Sequence, residues 1–122
     1  MDARLIALGL AFAVLPAQAF DHGHAAWDAL LNKHVVLLPG AHASQVRYDG
    51  FAADRRALKA YLDTLSAVGP AQFDGWAKNE RKAFLINAYN AFTVEKILTR
   101  WPDIRSIWDF GKLFGNPFKD EF

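Results

Sequence analysis

A chain of 122 residues, 52% hydrophobic with charges of both signs, makes at most one globular domain, and that composition excludes disorder as a description of the whole. The net charge is +1 and the basic residues do not cluster, so nothing electrostatic points to nucleic acid as a partner. There is no cysteine, which removes disulfides, thiol catalysis and thiolate metal sites from this chain.

The first residues, Met1-Asp2-Ala3-Arg4, lead into an apolar run over residues 5–15 and then the small-x-small ending Ala17-Gln18-Ala19. That order is the pattern of a secretory signal peptide cleaved after Ala19. Residues 1–19 are therefore expected to be removed, giving an exported, periplasmic or secreted chain that starts at Phe20. The apolar run is about half the roughly 20 residues a membrane-spanning helix needs, so no stable span is expected after cleavage.

Trp27, Leu30, Leu31, His34 and Val35 recur at helical spacing and predict a first helix from Asp21 to about Val36, ended by Pro39-Gly40. Val46-Arg47-Tyr48 alternates, which predicts a short extended segment near 46–48, closed by Asp49-Gly50. Asp54 is placed to cap a second helix that turns Leu58, Tyr61, Leu62 and Leu65 inward and Arg55, Arg56, Lys59 and Asp63 to solvent. Gly69-Pro70 breaks it, and Pro70 can open a short helical piece through Phe73 and Trp76.

The longest periodic stretch predicts a helix over about 78–100. Glu80 in its first turn and Lys96 and Arg100 in its last suit the helix dipole, and Pro102 stops it. At about 100° per residue, Ile86, Ile97, Asn90, Ala83, Val94, Asn87, Leu98, Ala91 and Phe84 share one arc, expected to face the core, with Phe92, Leu85 and Tyr89 on a second side. The expected fold is thus mainly α: residues 20–122 form a small helical bundle around this long central helix, with an irregular C-terminal tail. That tail, residues 108–122, carries Trp108, Phe110, Leu113, Phe114, Phe118 and Phe122, a density of large apolar groups that implies a surface to pack against.

The run Ala83-Phe84-Leu85-Ile86-Asn87-Ala88-Tyr89-Asn90-Ala91-Phe92 resembles the Phe/Trp-Ile-Asn-x-Tyr-Asn-Ala signature of the domain of unknown function 547 (DUF547) family. Supporting similarities run through residues 20–31, Tyr48-Asp49-Gly50-Phe51, residues 58–70 and Trp101-Pro102 with residues 104–118. Members continue into a second half with a His-containing segment and a later cysteine-containing one. The resemblance therefore implies that this chain corresponds to the N-terminal half of the domain, with the aromatic tail leading into the second half. The family's activity is unassigned.

Two groups of residues are candidate sites. Asn87 and Asn90, on the expected core arc, must find partners or cost about 1–3 kcal/mol per unsatisfied group; with Glu80 about two turns before Asn87 they are either structural ties or supporting polar residues of a site. Cleavage after Ala19 would create a second candidate, Phe20-Asp21-His22, in which a free amine, two amide nitrogens and the His22 imidazole could hold Cu(II) or Ni(II) in a square plane, with His24 placed to assist and His34 a few turns along the helix. No Ser-His-Asp arrangement, phosphate loop or carboxylate-histidine metal motif is present. The expected function is a structural or interaction module that binds a protein partner or itself through residues 108–122, without catalysis of its own. The alternative is half of a hydrolase-like enzyme whose His and Cys segments lie elsewhere, and a third reading is metal binding at the N-terminus.

Overall fold

A computed structural model describes residues 19–110. Within them the order is α1 (Ala25–His34), β1 (Val35–Leu37), β2 (Ser44–Val46), α2 (Tyr48–Ala53), α3 (Arg55–Ser66), α4 (Pro70–Asp74) and α5 (Lys78–Leu98). The mainly helical class and the long helix are as expected. Residues 1–18 of the expected signal segment and residues 111–122 of the aromatic tail lie outside the described residues.

The helix expected to reach Val36 stops at His34, because Val35, Val36 and Leu37 leave it as a strand. β-Branched side chains are stiff in a helix and pack well on a pleated surface. β1 pairs antiparallel with β2 in the register Val35↔Val46, Val36↔Gln45, Leu37↔Ser44. Gly40 and Ala41, at φ 86° and 55°, turn the hairpin, and His42 is exposed beside them as its loop position suggests. The extended segment therefore lies two residues earlier than 46–48, and Tyr48-Asp49-Gly50 opens α2. That short helix accepts Gly50 for a packing reason: a Cβ there would sit 2.3 Å from Nδ1 of His34.

Trp27 and Leu30 of α1, Phe51 of α2, Leu58, Tyr61, Leu62 and Leu65 of α3, and Ala91, Val94 and Leu98 of α5 form one core. α3 is the element on which α1, α2 and α5 all pack. Its inward row is the one the periodicity predicts, and Tyr61 stacks on Trp27 with ring centroids 5.8 Å apart and planes 9° off parallel. Asp54 does not cap α3; its carboxylate instead takes the Nε2 of His34 at 2.6 Å and the ammonium of Lys33 at 2.8 Å. Arg55 keeps part of its side chain in solvent but is more than an outer residue. Its Nε–H donates to both oxygens of the buried Glu95 carboxylate, at 2.6 and 3.2 Å, and so ties the start of α3 to α5.

α5 is built from its cap onward as expected. Glu80 accepts a hydrogen bond from the Ala77 N–H at 2.9 Å, one half of a capping box. The buried face is another matter. Ala91, Val94, Glu95, Lys96 and Leu98 are buried, Phe84, Asn87 and Ala88 are half-buried, and Ile86 and Asn90 are exposed. The helix packs through the Phe84–Ala91–Leu98 edge of the expected arc rather than through its middle. Apolar residues nearly all round α5 let more than one side fit the core by periodicity; Glu95, paired to Arg55, decides which one does.

Candidate functional site

The turn that enters α1 is held by one carboxylate. Asp21 accepts from the Gly23 N–H through Oδ1 and from the Ala25 N–H through Oδ2, both at 2.9 Å, while its carbonyl accepts from the His24 N–H at 3.1 Å. Those bonds, the Ala25 one foremost, hold the Asp21 carboxyl below its ordinary value. The turn leaves His24 in the left-handed region, at φ 49° and ψ 43°. A non-glycine residue there costs on the order of 1–2 kcal/mol, which other contacts must offset.

The offset is visible around the ring. His24 is buried, and its Nδ1 lies 2.7 Å from the hydroxyl of Tyr61, 37 residues away on α3. Burial is the main cause that lowers the His24 pKa, and burial with the nearby Asp21 charge pushes Tyr61 up to about 12. Both groups are therefore neutral at pH 7, and one proton bridges them. Whichever atom carries it, the other ring nitrogen, Nε2, is buried with no hydrogen-bond partner among the described residues.

Next to it stands an aromatic box. The ring of Phe20 lies 5.1 Å from Trp76 and 5.5 Å from Phe84, edge-on to the latter, and 5.2–5.4 Å from the imidazoles of His24 and His22. His22 stands edge-on to Trp76 at 4.5 Å and brings Nε2 to 3.6 Å from the Glu80 carboxylate. Its Nδ1 is buried and without a hydrogen-bond partner among the described residues, as is Nε of Arg81. The two histidines both lie against Phe20, and buried polar atoms without partners call for a ligand, water or ion to complete them.

A cavity of about 590 Å³ opens between the start of α1, α3 and the segment leading into α4. Ala25, Ala57, Ala60 and Val68 give it an apolar wall, and Asp21, His24 and Tyr61 supply polar groups. Small side chains on both facing helices are what leave the space open, in the size range of small-molecule sites.

The structure thus brings together Phe20, Asp21, His22 and Glu80, which the sequence assigns to two separate candidates. It does not join them to the amide pair. Asn90 is exposed and Asn87 half-buried, so the expectation of two amides enclosed in the core is corrected. The Phe20–His24 segment is held in place by the Asp21 turn bonds and by the Phe20 ring against Trp76 and Phe84. His34 stands at the far end of α1, engaged with Asp54, and is not a companion of His22. Among the described residues no three His, Asp or Glu side chains converge as a metal site, and no helix is long and apolar enough to cross a membrane. Tyr61 is the residue that sequence reasoning passes over: its place in an inward row marks it as core, and only the fold reveals the histidine at its hydroxyl. No family model, curated protein or solved structure matches this chain.

Proposed function

We propose that this protein is an exported helical interaction module, equivalent to the first half of a DUF547-like domain, which binds a protein partner along the outer face of α5. The supporting observation is the exposure of three large apolar side chains on one side of that helix: Leu85 at 58%, Ile86 at 54% and Tyr89 at 57%. At positions i, i+1 and i+4 they form one patch, and contiguous apolar surface of this kind marks interaction sites. Trp108 is also exposed, whereas Phe110 lies 5.1 Å from the Lys96 ammonium and 5.0 Å from the Arg100 guanidinium, so the chain leaves the described region beside the C-terminal end of α5. This extends the contact surface expected of residues 108–122 onto the helix itself.

The test is light scattering and apolar-dye binding on the wild type and on Leu85→Asp/Tyr89→Asp. Dye binding or self-association in the wild type that the double substitution removes, at unchanged helicity, supports the proposal; a dye-silent monomer overturns it. A second reading, half of a hydrolase-like enzyme, draws on the unpartnered His24 nitrogen beside a small-molecule-sized cavity. In that reading Glu80 supports the His22 and His24 end, away from Asn90. Turnover of ester or amide substrates that His24→Ala abolishes would favour it over the module.

A further inference from the structure

We propose that the exported chain, once it begins at Phe20, binds one Cu(II) or Ni(II) in a square plane formed by the Phe20 amine, the amide nitrogens of Asp21 and His22, and Nδ1 of His22, with Glu80 positioning the imidazole. The proposal rests on the cleavage expected after Ala19 and is independent of the α5 face.

Four observations carry it. The ring nitrogen that such a chelate requires, Nδ1, is the one left without a partner among the described residues, while Nε2 faces the Glu80 carboxylate at 3.6 Å. A carboxylate only accepts, and its charge at 3.6 Å, just beyond hydrogen-bond distance, favours the tautomer with the proton on Nε2 and the lone pair on Nδ1, the tautomer that outer-shell carboxylates fix in metal-binding histidines. The Asp21 side chain, which could compete for the ion, has both oxygens committed to the Gly23 and Ala25 N–H groups. Finally, those turn bonds use the N–H groups of residues 23, 24 and 25, and leave the amide nitrogens of Asp21 and His22 out of any hydrogen bond among the described residues. The Phe20 ring, seated against Trp76 and Phe84, fixes where the terminal amine would stand.

Binding releases the two amide protons, and a third where the amine is still ammonium, to solvent. Two amidate charges then balance the dication, and no electron is transferred. Nitrogen donors in a tetragonal plane suit Cu(II) and Ni(II) and not the tetrahedral preference of Zn(II). Proton release makes affinity fall as pH falls.

The test uses chain recovered from the exported fraction, its first residue established by N-terminal sequencing, and titrates it with Cu(II) alone. The expected result is one equivalent bound, a visible d–d band, and quenching of Trp76, whose ring lies 4.5 Å from His22. His22→Gln should lose both signals at an unchanged melting temperature, and Trp76→Phe should lose the quench but keep the band. Glu80→Gln retains an oxygen to accept from the Ala77 N–H, so α5 stays capped, but should bind about tenfold more weakly. A chain that keeps Ala19 displaces the amine by one residue and should lose the band. Equal Cu(II) binding by His22→Gln or by the Ala19-retaining chain overturns the proposal, as does an exported chain that retains residues 1–19.

Discussion

The two ends of α1 each bury a histidine, and they are built in opposite ways. At the C-terminal end His34 meets Asp54 at 2.6 Å, Lys33 shares the same carboxylate, and Gly50 leaves room for the ring. At the N-terminal end His24 sits in a left-handed conformation, bonded on one side to Tyr61 and unpartnered on the other. The first is an arrangement that serves packing. The second holds strain and spare hydrogen-bonding capacity beside a cavity, the combination from which binding sites are made.

The largest break in that contrast should come at the packed end. Gly50→Val would drive a side chain into the His34 ring and should cost about 3 kcal/mol in urea unfolding, the upper range for overpacking. Tyr61→Phe comes next. It keeps the stack on Trp27 but strips His24 of its partner, for about 1–3 kcal/mol. The same substitution should flatten the alkaline limb. Tyr61 ionises more easily unfolded, near 10, than folded, near 12, so wild-type stability should fall across pH 10–12 and the variant's should fall less.

The acid limbs sharpen the comparison further. Folding depresses the His24 pKa, so its contribution is present above the ordinary 6.5 and is lost as pH falls through the lower folded value. Asp54, held below 3.8 by Lys33 and His34, loses its contribution only below that value. His24→Asn, a residue that tolerates the left-handed conformation, should remove the upper limb, leave the lower one, and cost under about 1 kcal/mol at pH 7 because relieved strain offsets the lost bond. Smallest of all, Asn90→Leu should change stability by no more than about 0.5 kcal/mol, since the side chain is exposed; a loss of several kcal/mol would restore the buried amide.

What was legible in the sequence is what local chemistry determines. The inward row Leu58, Tyr61, Leu62 and Leu65, the Gly69-Pro70 break and the start of α5 near Lys78 all follow from periodicity, breakers and capping. What was not legible depends on partners far along the chain. Asp54 has the look of a helix cap until His34, 20 residues earlier, takes its carboxylate; Arg55 has the look of a surface residue until Glu95, 40 residues later, claims it. The site divides in the same way. The amine expected at Phe20 and the imidazole of His22 are a pattern visible in three residues, whereas the approach of Glu80 to His22 and of Tyr61 to His24 needs the fold.

The two supports under α5 have a consequence of their own. The helix rests on the core through Ala91, Val94 and Leu98 and on the Phe20–Trp76–Phe84 box near its beginning, with an outward-facing apolar span between them. Loosening the box would let the first two or three turns of α5 open as a local unit while the last two stay closed, in the manner of a sub-global unfolding step. Amide hydrogen exchange would then run faster before Ala88 than after Ala91, and whatever steadies Phe20 would slow the early amides without touching the late ones.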